Sequence, residues 1–137
     1  MRPNNWRVLN EEFYKETYKY KHIMTVAELA KELNVKVISG SNGLNKSVTG
    51  GYVSDLLSDV MGNAAEGAVW ITLQTHKNII AVASLKDLSA VILVKGLQPD
   101  ADTIIHSETE AIPILSTTEK TFEITGKLYN FIKGECE

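Results

Sequence analysis

Three short segments carry the side chains best suited to holding an anion. They are Leu73-Gln74-Thr75-His76-Lys77-Asn78, Lys95-Gly96-Leu97-Gln98-Pro99 and Ser116-Thr117-Thr118-Glu119-Lys120. Lys77 and Lys95 supply positive charge, and His76 supplies an imidazole. Thr75, Thr117 and Thr118 offer hydroxyls that donate to phosphate or carboxylate oxygens. Gly96 allows close backbone approach. Where such segments join a parallel strand to a helix, the helix N-terminus adds unpaired N–H groups and a positive field. Thr75, His76, Lys77, Lys95, Gly96, Thr117 and Thr118 are therefore the candidate ligand-binding residues, for a small anion or an adenine nucleotide. Thr75 and Thr118 have a second use, as helix caps.

Other patterns point away from chemistry. Residues 40–47, Gly-Ser-Asn-Gly-Leu-Asn-Lys-Ser, have the outline of a phosphate loop. A true one has glycine directly before the lysine and a helix directly after. Here Asn45 precedes Lys46 and the following residues read as strand, so a turn with an exposed lysine is expected. His22, His76 and His106 have no second histidine or cysteine at ligand spacing, so no metal site is expected. Cys136, the only cysteine, reads as a free thiol near the chain end. Ser84, Ser89 and Ser116 sit in no nucleophile-elbow pattern. The expectation is a protein without catalytic residues or cofactors.

Composition agrees with one globular domain. The chain has 137 residues, 44% hydrophobic and 23% charged, with a formal net charge of −3. It has no basic tract, so nucleic acid is not an expected partner. The apolar run at residues 90–94 is far shorter than a membrane span. The first residues lack the apolar segment of a secretory signal. A cytoplasmic location without membrane contact is the expectation.

The elements that would position these segments follow from periodicity. Residues 1–23 hold Trp6, Phe13, Tyr14, Tyr18 and Tyr20 among charges. They read as an N-terminal extension, helical over 11–19, to a domain at 24–137; Met24 is an alternative start. Thr25 and Glu28 have capping-box spacing, and Val26, Leu29, Ala30 and Leu33 line one helix face. Strands at 35–38 and 47–53 flank the turn and read as a hairpin, with Gly50 and Gly51 marking a bulge or a close approach. Ser54 can cap a short helix at 55–61.

A repeating pattern follows: strand 68–72, helix 75–85, strand 90–94, helix 100–110, strand 112–115, helix 118–133. Ile79, Ile80, Val82 and Ala83 should face inward, as should Ile104, Ile105, Phe122, Leu128, Phe131 and Ile132. Gly126 inside the last helix should cost about 1 kcal/mol relative to alanine. Alternating strands and helices predict right-handed crossovers onto a parallel sheet. The fold class is α/β, a three-layer α/β/α domain with a mixed, mostly parallel sheet of about five or six strands. Such a sheet brings the three anion-type segments to one edge.

Residues 24 to about 133 resemble the DRTGG domain family. The likeness is carried by Val-Ile-Ser-Gly at 37–40, Val-Thr-Gly-Gly-Tyr-Val-Ser at 48–54, Gly-Ala-Val-Trp-Ile-Thr at 67–72 and Ile-Pro-Ile-Leu-Ser-Thr-Thr at 112–118. Where the family has its Asp-Arg, this chain has Thr75-His76-Lys77, and where it has Thr-Gly-Gly, this chain has Val94-Lys95-Gly96. Only Gly96 is kept, which marks a divergent, stand-alone member in which His76 or Lys77 would replace the arginine as the cation. The resemblance, shared with the N-terminal domain of HPr kinase/phosphorylase, implies a non-catalytic regulatory or dimerisation module in a redox or signalling context. Independently of the resemblance, the glycine-bearing strand 48–53 and its turn would place an edge beside a twofold partner, and a homodimer, the commonest oligomer, is expected. The alternative reading is a nucleotide- or anion-sensing domain.

Overall fold

The computed structural model describes residues 24–134. The readings of residues 1–23 and of Cys136 lie outside the described residues. Thr25 caps helix α1 (Val26–Leu33): its hydroxyl accepts from Glu28 N at 3.2 Å, and Glu28 Oε1 accepts from Thr25 N at 2.9 Å. That exchange satisfies two donors at the helix start. Val26, Leu29, Ala30 and Leu33 are all buried. β1 (Lys36–Ser39), a 3-10 turn (Ser41–Gly43), β2 (Gly50–Val53) and α2 (Leu57–Asn63) follow. Then come β3 (Ala68–Thr72), α3 (Asn78–Leu85), β4 (Ala90–Leu93), α4 (Ala101–Glu110), β5 (Ile114–Ser116) and α5 (Thr121–Lys133).

The five strands form one sheet in the order β1-β5-β4-β3-β2. The pairs β2–β3, β3–β4 and β4–β5 are parallel, and β1 pairs antiparallel with β5. β3, β4 and β5 are fully buried, as continuous apolar strands covered on both faces must be. α1 and α5 pack on one face through Leu29, Leu33, Ile124 and Leu128. α2 and α3 cover the other through Val60, Ile79, Ile80 and Ala83. This is the expected three-layer, mostly parallel arrangement.

Several local expectations are corrected. β1 and β2 are not a hairpin; they occupy opposite edges of the sheet. The chain between them crosses the amino ends of the parallel strands, held by Val26 N to Lys46 O (3.0 Å), Ala27 N to Leu44 O (2.9 Å) and Thr49 N to Gly67 O (3.0 Å). The half-polar patterns of β1 and β2 suit edges, while the apolar strands take the centre.

α4 also turns differently. Ile105 is 67% exposed, whereas Thr103 and Ser107 are buried. Small hydroxyl side chains let α4 sit close to β1, where Ser39 Oγ and Ser107 Oγ are 2.8 Å apart and Ser107 also donates to Ile112 O at 2.7 Å. Phe122, expected inside, is 85% exposed, because α5 presents Ile124 and Leu128 to the sheet.

Helices α2, α3 and α5 start two or three residues later than their hydroxyl caps imply. Their N-caps are Leu56, Lys77 and Lys120, and none makes a side-chain cap bond. Ser54, Thr75 and Thr118 are therefore loop residues rather than caps.

Candidate functional site

Four loops leave the carboxyl ends of β2, β3, β4 and β5 on one edge of the sheet and are laced together there. Asp55 Oδ1 accepts from Thr72 Oγ1 at 2.9 Å and from Leu73 N at 2.7 Å, and Gln74 Nε2 donates to Asp55 O at 2.9 Å. Thr75 O accepts from Asp100 N at 3.0 Å and Thr103 Oγ1 at 2.9 Å, which ties the β3–α3 loop to the start of α4. Gly96 N donates to Thr117 O at 2.8 Å and Lys95 N to Glu119 O at 2.9 Å, which ties the β4–α4 loop to the β5–α5 loop.

All seven sequence-derived candidates lie on this edge, but they divide by what is left free. Thr117 is buried and its hydroxyl accepts from Glu119 N at 3.1 Å. Gly96 has spent its N–H on Thr117, and its φ of 72° follows a φ of 59° at Lys95, so the loop makes two successive left-handed steps. Glycine takes such a step without the Cβ penalty that Lys95 bears. Lys77, Lys95 and Thr118 remain exposed, and Thr75 and His76 are half-buried. Lys120, which closes the third of the anion-type segments without being among the seven candidates, is exposed on the same edge. Its neighbour Glu119 is paired with Lys127 at 2.7 Å, so it does not neutralise the lysines. The N-termini of α4 and α5 reach this edge without side-chain caps, leaving first-turn N–H groups for an anion or for water, whereas at the start of α3 Ile79 N and Ile80 N are spent on His76 O (3.1 Å) and Lys77 O (3.0 Å).

The phosphate-loop outline has a different explanation. A Cβ on Gly43 would fall 2.9 Å from Pro113 Cδ and far inside contact of the Ala111 carbonyl oxygen. Gly40 has φ 74°, its N–H donates to Glu108 Oε2 at 3.1 Å, and a Cβ there would lie 2.8 Å from Pro113 Cα. Both glycines exist because the turn presses against the α4–β5 connection. Lys46 is half-buried rather than exposed and lines a concavity of about 620 Å³ at the opposite, amino edge.

Ser47, Thr49, Glu66, Asp87 and Ser89 share that lining. Thr49 Oγ1 donates to Glu66 O at 2.8 Å, and Ser89 Oγ donates to Ser47 O. These hydroxyls close the seam between loops, and the one lysine faces two carboxylates. Three exposed lysines, Lys77, Lys95 and Lys120, stand instead at the carboxyl edge.

A second polar cluster joins β2 to α2. Tyr52 OH donates to Asp59 Oδ1 at 2.9 Å, and Asn63 Nδ2 donates to the same oxygen at 3.0 Å. The Ser54 and Tyr52 hydroxyls hold the Asp59 carboxyl below the ordinary carboxylate range. The Asp59 hydrogen bond holds the Tyr52 phenol above its ordinary value. Among the described residues no group of three or more His, Cys, Asp or Glu side chains could hold a metal ion. Among them, too, no helix is long and apolar enough to cross a membrane.

The fold and its loop edge define an open-sheet α/β domain in which crossover loops, rather than a deep cavity, present the polar chemistry. The chain belongs to the DRTGG domain family, whose model matches residues 28–131. No curated protein sequence matches it significantly. Among solved structures it is similar to the CBS and DRTGG domains of the regulatory region of Clostridium perfringens pyrophosphatase, in complex with the activator diadenosine tetraphosphate. The two share 16% identity with a TM-score of 0.55, over 88% of this chain and 55% of that one. The chain thus spans about half the length of that solved structure, and the likeness is one of fold.

Proposed function

We propose that this chain is a non-catalytic regulatory module that senses a small anion of the nucleotide class at the carboxyl edge of its sheet. One observation carries the reading. Lys77, Lys95 and Lys120 stand on three adjacent crossover loops, each at or near a helix N-terminus without a side-chain cap. Positive charge and unpaired N–H groups thereby converge on one surface. That the regulatory region of the similar pyrophosphatase is complexed with a dinucleoside polyphosphate supports the ligand class.

Thermal denaturation with inorganic phosphate, AMP, ATP and diadenosine tetraphosphate tests this. A ligand at a hundredfold its Kd stabilises the folded state by about 2.7 kcal/mol. At about 2.1 cal/mol/K per residue, 137 residues give roughly 0.3 kcal/mol per degree, so the melting temperature should rise by about 9 °C. Lys77→Ala and Lys95→Ala should each reduce that rise, and Lys46→Ala should not. Absence of any shift, or a shift lost only on Lys46→Ala, refutes the assigned edge.

A second reading, self-association as a homodimer, is favoured by α5. Phe122 and Tyr129, seven residues apart and so on one helix face, are 85% and 58% exposed. Lys133 lies 5.4 Å from the Tyr129 ring centre. Apolar surface of this kind is common at twofold contacts. Sedimentation equilibrium should show a dimer that Phe122→Glu dissociates; a monomer at micromolar concentration removes this reading.

A further inference from the structure

We propose that the concavity at the amino edge of the sheet binds a basic amino acid, with Glu66 and Asp87 holding its cationic groups and Lys46 holding its carboxylate. The concavity, about 620 Å³, is of the size that takes small organic ligands. It lies where the loops leading into β2, β3 and β4 meet. The five residues of β3 put roughly 16 Å between it and the lysines of the carboxyl edge. The proposal is therefore independent of the nucleotide reading.

The backbone of the site is fixed before any ligand arrives. Thr49 N donates to Gly67 O at 3.0 Å, Gly67 N to Asp87 O at 2.9 Å and Ser89 N to Ala68 O at 2.9 Å. Lys46 N donates to Gly43 O at 3.1 Å, and Lys46 O accepts from Val26 N at 3.0 Å. Gly67 has φ 84°, and a Cβ there would fall 3.0 Å from Thr49 Cγ2, so glycine lets the loops before β2 and β3 close on each other. Three charged side chains stand on this frame, and the frame does not use them. Among the described residues no hydrogen bond or ion pair engages the Lys46 ammonium or the Glu66 and Asp87 carboxylates.

Asp87 is held there against local preference. Leu88 N donates to Ala83 O at 2.9 Å and Asp87 N to Ser84 O at 3.2 Å, the paired bonds of a Schellman turn that ends α3. Glycine is the usual residue at the left-handed step of such a turn, which Asp87 takes at φ 53°. It also puts an acid at the negative end of α3, where the helix dipole favours a cation. A residue that breaks two local rules and has no internal partner gives up stability without return inside the fold, and a bound cation supplies that return. Two carboxylates and one lysine are complemented by two cations and one carboxylate, the set that lysine, ornithine and arginine carry.

Titration of the full, isotope-labelled chain with L-lysine and L-arginine, followed by amide chemical shifts, tests the site. Saturable shifts should centre on residues 46–49, 66–67 and 87–89. L-norleucine lacks the side-chain ammonium and cadaverine lacks the carboxylate, so each should bind at least about tenfold more weakly than L-lysine. Lys46→Ala should weaken L-lysine and leave cadaverine unchanged. Asp87→Gly should raise the melting temperature and still weaken L-lysine at least about tenfold, and Asp87→Asn, which keeps the shape of the side chain, should lose the same affinity. Lys95→Ala, at the other edge, should bind as the parent does. No saturable shift with either amino acid, equal affinity for L-lysine and cadaverine, or undiminished binding by both Asp87 variants overturns the proposal. An Asp87→Gly protein less stable than the parent overturns it as well, since Asp87 would then serve the fold.

Discussion

Gly43→Ala separates a structural glycine from a phosphate-binding one. The added methyl meets the Ala111 carbonyl oxygen and Pro113 Cδ, the latter at 2.9 Å. Neither neighbour can retreat easily. Ala111 caps α4 in the left-handed conformation, Ile112 N is tied to Ser107 O at 3.0 Å, and Pro113 is a rigid buried ring. Overpacking against side chains costs about 1–3 kcal/mol, and against fixed backbone the upper end applies, about 3 kcal/mol. With roughly 0.3 kcal/mol per degree from the chain length, the melting temperature should fall by about 10 °C.

Gly126→Ala is the matched control. Gly126 is exposed in α5 with open space around its Cβ position, so alanine should stabilise by about 1 kcal/mol. Urea denaturation of both variants, with the slope m unchanged, gives the two numbers. A Gly43→Ala protein within about 0.5 kcal/mol of the parent would refute the packing account of the turn.

Three further outcomes follow from the hydrogen bonds. Asp55→Ala strips Thr72 Oγ1 and Leu73 N of their acceptor and should cost about 2 kcal/mol by urea denaturation. Ser107→Ala leaves the buried Ser39 hydroxyl without its partner, so the double variant with Ser39→Ala should be less destabilised than the sum of the singles in a double-mutant cycle. Asp59 is held below the ordinary carboxylate range, so its ionised form is favoured in the folded state. Its contribution is present above the unfolded carboxylate value, about 4, and is lost as pH falls through the lower folded value. Stability measured from pH 6 downward should therefore decline more steeply in the parent than in Asp59→Asn.

Much of the architecture was legible because periodicity reports burial directly. The capping box at Thr25, the apolar face of α1, the buried face of α3 and the three continuous apolar strands each signal their environment within a few residues. The common edge of the three anion-type segments followed from the strands being parallel, which puts every strand-to-helix loop at their carboxyl ends. Helix starts were less legible, since a threonine in a loop and a threonine at a cap look alike until the backbone decides which N–H it meets. Thr75 and Thr118 show this. Ile105 and Phe122 were misplaced because a helix's rotation is set by what it packs against, and α4 packs through Ser107 rather than through its isoleucines.

The amino-acid sequence by itself determined a mostly parallel α/β domain with its polar crossover loops on one side, because local patterning and chain chirality leave few other ways to bury these strands. Only the tertiary structure decided that β1 and β2 lie at opposite edges, since pairing partners depend on contacts distant in sequence. It alone decided that Gly40 and Gly43 accommodate the α4–β5 connection rather than a phosphate. It also decided which loop groups are spent on one another and which, at Lys77, Lys95 and Lys120, stay exposed. Hydrogen bonds between loops join residues that no local pattern connects, so their outcome is written only in three dimensions.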